Sequence, residues 1–398
     1  MHQLDYGDVK AAAERISGRV RPVALAQVDQ GAIRTAHRDP LDDRPTDQCQ
    51  VWLGLEFMQH TGSFKARGAQ NFLLGHAEAG TLPDTGITIA SGGNAGLACA
   101  WAAQQHGVPA TVFLPTTAPA VKVDKLRAYG ADVRLVGTEY AEALGACEQF
   151  AAATGALASH AYDHPLIAAG AGTLLEELHQ QIPGLDTVVV AVGGGGLFAG
   201  VAAAARHHGI RVVAVEPENC RALNAALTAG HPVDVTVDSV AADSLGARRA
   251  SAMALRAAQQ DTVHSVLVSD TEIIKARQAL WDHRGVAVEH GAFSEQPTPR
   301  PATPHDLVSS VLVTDAEIIA ARRALWDHRR IVVEHGAAAA LAALLAEPKY
   351  DARWDMPRRV GDFVPSRGYR PGSGEKVCVV LCGANTDPSD LISAASTE

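Results

Sequence analysis

With 398 residues, 47% of them apolar and 20% charged, the chain has the profile of a globular protein large enough for two lobes. A formal net charge of −10, with Lys and Arg scattered rather than clustered, excludes the basic footprint of a nucleic-acid binder. No stretch reaches the ~18 consecutive apolar residues of a membrane span. The opening Met1–Asp8 has no signal-like apolar run, and six cysteines without C-x-x-C spacing suit the reducing cytoplasm.

In chain order, Asp8 is expected to cap a first helix over 9–18, ended by Gly18. Short apolar runs then alternate with helical stretches, the signature of parallel α/β layers. Strands are expected at 51–57, 87–90, 110–114, 132–136, 187–192, 211–215 and 376–381, with helices at 94–106, 119–129, 139–154 and 196–208. Runs such as Val188–Val192 lack polar alternation, so both faces of those strands should be covered. Ligands in open sheets of this kind sit at the carboxyl ends of strands, where glycine-rich stretches follow the runs at 87–90 and 187–192.

Residues 265–292 recur at 310–337 with an offset of 45, and 21 of the 28 paired positions are identical. Two copies are too few for a solenoid. The segment between them, Phe293–Asp306, carries four prolines and reads as a linker, and 349–374, rich in Arg, Pro and Gly, reads as a surface excursion. The second copy is expected to fill the sheet, because it runs on through Ala338–Leu345 toward the last strand.

Three stretches carry chemistry. After the strand at 187–192, Gly193-Gly194-Gly195-Gly196-Leu197 opens a helix, and unpaired amides at a helix start favour an anion such as phosphate. The same stretch fits G-x-G-x-x-A over Gly194–Ala199, with Glu216 at the end of the next strand. That is the outline of a dinucleotide site, but it leaves Lys65 and Asn94 without a role. Ser91-Gly92-Gly93-Asn94-Ala95 straddles another helix start, where amides can hold a carboxylate; taken alone, Ser91 or Asn94 would simply cap the helix. Lys65, set in Thr61-Gly62-Ser63-Phe64-Lys65-Ala66-Arg67-Gly68, is placed as a reactive lysine approaching a cofactor would be. An amine, a carboxylate-binding turn and a phosphate cup together are what pyridoxal 5′-phosphate and an amino-acid substrate require.

Taken in order, S-F-K-A-R-G-A (63–69), S-G-G-N-A-G (91–96), G-G-G-G-L (193–197) and C-G-A-N (382–385) resemble the motifs of the serine/threonine dehydratases, pyridoxal-phosphate enzymes of the tryptophan-synthase-β type (fold type II). The resemblance spans roughly 20–345 and 375–395. It implies two open, twisted, mostly parallel sheets flanked by helices, with the cofactor in the cleft between a large lobe (1–56 plus 158–398) and a small one (57–157).

Carried over residue by residue, the resemblance implies that Lys65 forms the internal Schiff base and then removes the substrate's α-proton. A low-dielectric pocket that lowers its pKa would suit both tasks. Phe64 would pack beneath the ring, Asn94 would bond its 3-oxygen, and Gly193–Leu197 would hold the phosphate. Ser91, Gly92, Gly93, Asn94 and Ala95 would bind the substrate carboxylate. Cys382 would face the ring nitrogen, where a weakly donating thiol favours elimination over transamination. The family's acidic residue near the cofactor falls on Glu334 in the second copy or Glu289 in the first, with His335 standing where Pro is common. Glu216-Pro217-Glu218 resembles the family's turn for a monovalent or divalent cation.

The expected activity is α,β-elimination of L-serine or L-threonine to pyruvate or 2-oxobutanoate plus ammonia, by a cytoplasmic homodimer that binds neither nucleic acid nor membrane. The alternatives are a threonine synthase, a β-replacement enzyme, a serine racemase or an NAD-binding oxidoreductase. Racemases of this type carry a serine as opposite-face base where this chain has Gly92, and Ala66 stands where synthases usually show Asp. With only 16 residues after Cys382, no C-terminal amino-acid-sensing domain is expected, and a catabolic role is the expectation. His207, His208 and the group His160, Asp163, His164 read as solvated faces rather than metal ligands.

Overall fold

The computed structural model describes residues 4–29, 33, 49–260, 263–266, 308–329, 333–345 and 366–385. Glu289, the linker 293–306 and most of 349–374 lie outside the described residues. Helix α1 (Tyr6–Ile16) leads to β1 (Leu25–Gln27), β2 (Gln50–Gly54), α2 (Lys65–Glu78), β3 (Ile87–Ala90), α3 (Asn94–Gln105) and β4 (Ala110–Leu114). Next come α4 (Ala120–Ala128), β5 (Asp132–Leu135), α5 (Tyr140–Thr154), β6 (Leu157–Ala158), α6 (Pro165–Gln181), β7 (Thr187–Ala191), α7 (Gly196–His208) and β8 (Arg211–Pro217). The rest is α8 (Ala222–Ala229), α9 (Ala242–Leu245), α10 (Ala252–Gln260), β9 (Val263–Val266), β10 (Val308–Val313), α11 (Asp315–Arg329), α12 (His335–Leu345), β11 (Ser366–Arg367) and β12 (Lys376–Val380).

The strands form an eight-stranded sheet in the order β1-β2-β12-β7-β8-β10-β11-β9 and a four-stranded sheet in the order β5-β4-β3-β6. Every pairing is parallel except β1 with β2. The central strands are buried throughout, as the unbroken apolar runs of β3, β4 and β7 require. The second copy of the repeat supplies Ser310–Val313 of β10, which pairs with β8 over six residues, Val308–Val313 against Val212–Pro217, while Ser265 and Val266 of the first copy end β9, which pairs with β10 and β11.

The first helix begins earlier than the sequence suggests. Asp5 is its N-cap, accepting from the Asp8 amide while the Asp8 carboxylate accepts from the Asp5 amide, so Asp8 is the return half of a capping box. The strand expected over 51–57 ends at Gly54, where the chain enters a 3₁₀ turn at Glu56–Met58.

Two long helices that the sequence leaves unmarked, α2 and α6, are interrupted by glycines that resemble turn signals. Those glycines are helix crossings. A Cβ on Gly170 would stand 2.8 Å from the Gly68 Cα, and one on Gly200 would stand 2.9 Å from the Gly172 Cα. The helices α2, α6 and α7 therefore pack backbone to backbone. Among the described residues no helix is long and apolar enough to cross a membrane.

Candidate active site

A cavity of about 900 Å³ opens at the carboxyl ends of β3, β4, β7 and β12. Lys65, Phe64, Ser91, Gly92, Gly93, Asn94, Ala95, Gly193, Gly194, Gly195, Gly196, Leu197, Glu334 and Cys382 all line it. Residues up to 318 positions apart in the chain, Phe64 and Cys382, thus share one wall.

Lys65 is the first residue of α2. Its Nζ donates to the Ala161 carbonyl at 3.0 Å and stands 4.9 Å from the centre of the Phe64 ring. Burial holds its pKa below the ordinary lysine value, against the opposing pull of Cys382 and Glu334. The loop before it is zipped to the segment after β12. Phe64 N–H donates to the Cys382 carbonyl at 3.0 Å, Ala384 N–H to Gly62 O at 3.0 Å, and Asn385 Nδ2 to Thr61 O at 2.6 Å. Among the described residues Thr61 alone is a non-glycine with positive φ, at 63°. That conformation costs energy, and the zipped loop holds it in place.

Two helices begin at the cavity without a side-chain cap. The N-cap of α3 is Gly93 and that of α7 is Gly195 (φ 91°), so neither Ser91 nor Asn94 caps α3. The leading amides of both helices are left to a ligand, and both helix dipoles favour an anion there. Ser91 Oγ instead accepts from the Gly93 amide at 3.4 Å.

Asn94 is held by two partners. Its Oδ1 accepts from Asn385 Nδ2 at 2.7 Å, which fixes the amide's orientation, and its Nδ2 donates to both oxygens of Glu334 at 2.9 and 3.0 Å. The carboxylate oxygens lie too close together to take one amide hydrogen each, so a single hydrogen serves both and the second remains for a ligand. Glu334 is 3% exposed and its pKa is pushed up to about 7 by burial, with Asn94 opposing and Asp243 adding to the shift. Gly383 lies against it, since a Cβ there would stand 2.0 Å from Glu334 Oε1. Cys382 is 4% exposed, and burial together with Glu334 drives its thiol above the ordinary range, so the sulfur stays protonated. Cys378 packs in the core and does not line the cavity; the strand ends at Val380, before Cys382.

Glu216 lies away from the cavity wall. Both its oxygens accept backbone amides, from Leu223 at 2.7 Å and Asn224 at 2.8 Å, at the start of α8. That removes the ribose-binding acid from the dinucleotide outline, and a cation at this turn would have to share the carboxylate with the two amides. Among the described residues no group of three His, Cys, Asp or Glu could hold a metal ion. His207 remains exposed while stacking on Tyr6 with ring centres 3.7 Å apart, and the half-buried His208 meets Glu176 through Nε2 at 2.8 Å.

A further wall of the cavity, Ser159, His160, Ala161 and Tyr162, was not foreseen from the sequence. No motif marks these residues, and only a count of potential metal ligands drew attention to His160. Nor did the sequence suggest what Asn385 does, although Asn385 closes the C-G-A-N motif.

The residues present fit pyridoxal phosphate: a half-buried lysine for its aldehyde, two uncapped helix starts for its phosphate and a substrate carboxylate, and an oriented amide hydrogen for its 3-oxygen. Residues 39–294 match the family described as Pyridoxal-phosphate dependent enzyme. That stretch takes in the first copy of the repeat, whereas Ser310–Val313 of β10 and Glu334 come from the second. A serine dehydratase-like protein of Homo sapiens is 38% identical over 245 residues, 60% of this chain and 73% of its own length. An L-threonine ammonia-lyase of Geobacter sulfurreducens is 35% identical over 288 residues, 72% of this chain and 68% of its own. The solved structure of maize serine racemase has the same fold, with a TM-score of 0.69 at 22% identity over 99% of this chain and 97% of that one. The chain belongs to the fold type II pyridoxal-phosphate dependent enzymes, among the serine/threonine dehydratases.

Proposed function

We propose that the protein is an ammonia-lyase that converts L-serine, L-threonine or both to the corresponding 2-oxo acid and ammonia. The observation that carries this reading is the cavity in which a half-buried lysine faces two uncapped helix starts and a protonated thiol. The relatives named serine dehydratase-like and L-threonine ammonia-lyase support the substrate class.

When bound, pyridoxal phosphate supplies an aldehyde that joins amines as a Schiff base and a ring that draws electrons from the substrate's α-carbon. Lys65 would make that bond through Nζ and, once the substrate amine has displaced it as a free amine, would take the α-proton, for which its lowered pKa suits it. The amides of Gly193–Leu197 would hold the phosphate, and those of Ser91–Ala95 the substrate carboxylate. Asn94 would donate its second amide hydrogen to the 3-oxygen, Phe64 would support the ring, and Glu334 would anchor Asn94. Cys382 would meet the ring nitrogen with a neutral, weakly donating thiol, which favours departure of the β-hydroxyl over longer-lived charge on the ring.

Racemisation is disfavoured at Gly92. Glycine offers no side chain there to act as an opposite-face base. We place the enzyme in the cytoplasm as a homodimer; six free, buried cysteines support the former and the family resemblance the latter. Residues 57–157 would form the small lobe and the remainder the large one. At Glu216 we favour the helix-capping role over a cation, because both oxygens are committed to amides.

The test is an absorbance spectrum of the purified protein before and after L-serine and then L-threonine, with oxo-acid release followed in parallel and Lys65→Ala alongside. A visible band that substrate perturbs, lost in Lys65→Ala together with at least ~100-fold of the turnover, is expected. A protein that takes up the cofactor but releases no oxo acid from either substrate would refute the lyase.

A further inference from the structure

We propose that His160 is a positioning residue, whose imidazole Nδ1 clamps the turn that presents the Ala161 carbonyl to Lys65 and seats Tyr162 against the glycine turn before α7. This inference rests on the reading of Lys65 and Gly193–Gly196 as the two ends of the cofactor site. Nδ1 accepts from the Tyr162 amide at 3.2 Å and from the Asp163 amide at 2.8 Å. The peptide enclosed by those bonds carries the Ala161 oxygen that takes the hydrogen bond from Lys65 Nζ at 3.0 Å. The next side chain, Tyr162, fills the space beside the cup. A Cβ on Gly194 would lie 2.3 Å from its ring, and one on Gly196 would lie 2.8 Å from its carbonyl oxygen. Tyr162 is tied on its far side by its hydroxyl, which donates to the Arg249 carbonyl at 3.1 Å. One imidazole therefore sets the distance between the lysine and the phosphate cup.

The arrangement is the one an Asn or Asp makes when its side-chain oxygen accepts amides two and three residues on. His164 uses its own Nδ1 in the same way, accepting from the Leu166 amide at 3.2 Å to cap α6. A histidine in this role works only as the neutral ring with its proton on Nε2, because the imidazolium donates from both nitrogens and cannot accept.

The surroundings favour the neutral ring. His160 stays exposed, yet partial desolvation by its packed neighbours lowers its pKa, Asp163 on the same turn pulls the other way and Lys65 on α2 lowers it further. His164 at the start of α6 is likewise held below the ordinary histidine value, first by burial and then by His76 and His160. Tyr162 meets the His160 ring edge-on at 4.8 Å. For a histidine whose folded-state pKa is depressed, the clamp is fully present above the ordinary value of 6.5 and is lost as pH falls through the lower folded value.

The experiment compares His160→Ala, His160→Asn and His160→Gln with the full-length wild type. Three quantities are read: cofactor affinity by spectroscopic titration, the pH dependence of Lys65 labelling by trinitrobenzenesulfonate in cofactor-free protein, and the pH profile of oxo-acid formation. Asn places Oδ1 where Nδ1 stands and cannot be protonated, whereas Gln offers a donor near Nε2 but no acceptor close to the backbone. His160→Ala and His160→Gln are expected to weaken cofactor binding about tenfold and to move the Lys65 labelling profile. His160→Asn should recover binding to within about threefold of wild type and flatten the acid limb of the wild-type profile below pH ~6.5. Unchanged affinity and labelling in His160→Ala would overturn the proposal, and so would rescue by Gln but not by Asn. Should His160→Ala fail to fold, the contrast of Asn with Gln and the wild-type acid limb still decide. A wild type that releases no oxo acid, while Lys65 labelling still responds to position 160, would refute the lyase and leave the clamp standing.

Discussion

Asn385 donates to the Oδ1 of Asn94 at 2.7 Å across 291 positions of sequence, and this bond decides which end of the Asn94 amide faces Glu334. Asn385 also holds the strained Thr61 through that residue's carbonyl, so one side chain supports both the lysine loop and the start of α3. Asn385→Ala is expected to cost about tenfold in cofactor affinity by freeing Asn94 to rotate. Asn385→Asp should cost more, since a carboxylate accepts where a donor is needed and brings a charge near Glu334. Spectroscopic titration of both variants measures the effect, and equal loss in the two would mean that the amide's orientation is set elsewhere.

Glu334 yields a pH dependence of known sign. Its pKa rises from 4.5 to about 7 in the folded protein, so the folded chain keeps a proton that the unfolded chain releases. The stabilisation is complete below pH 4.5 and is lost as pH rises through 7. Glu334→Gln retains an oxygen for Asn94 and does not titrate. Between pH 5 and 8 the wild type without cofactor should therefore lose on the order of 3 kcal/mol relative to Glu334→Gln in urea denaturation. Parallel curves for the two proteins would show that Glu334 is ionised throughout.

Arg67, two residues after the reactive lysine, serves the fold rather than the chemistry. It is fully buried, with Nε and Nη2 on the Glu56 carboxylate at 2.8 and 2.7 Å and Nη1 on Glu177 at 2.6 Å. Arg67→Ala strands Glu56, itself 1% exposed, and is expected to cost about 3–5 kcal/mol. Arg67→Lys should lose part of that by giving up the forked contact. Urea midpoints give the cost, and an unchanged Lys65 absorbance band in folded Arg67→Lys would separate stability from catalysis.

Deleting 265–309 joins His264 to Ser310, and the new strand reads Val-His-Ser-Val-Leu-Val where β10 reads Val-Ser-Ser-Val-Leu-Val. Four of the six pairs with β8, Ser310–Val313 against Ala214–Pro217, and delivery of Glu334 to the cavity come from residues beyond the cut, and Val263 and His264 take the places of Val308 and Ser309. The shortened chain should fold and keep its Lys65-dependent band. Failure to fold would mean that residues of the first copy are needed by the sheet.

The layer pattern is legible in local sequence. Predicted strands at 87–90 and 110–114 match β3 and β4, and both glycine turns fall at strand ends, because apolar runs and glycine turns are local signals. Local sequence also singled out Lys65, Ser91–Ala95 and Gly193–Leu197 in the cavity wall, because a reactive lysine and an anion-binding turn need particular residues at short spacing, while Cys382 and Glu334 came from the family resemblance. Tertiary structure alone decided the rest. Gly68, Gly170, Gly172 and Gly200 look like helix breakers until α2, α6 and α7 cross at them. Asn94 looks like a helix cap until Asn385 and Glu334, distant in the chain, take both ends of its amide. His160 looks like one more exposed histidine until Lys65 is brought to the carbonyl of the turn it closes. In each case the partner that gives the residue its role lies outside any local window, and only the packed sheets and helices bring the two together.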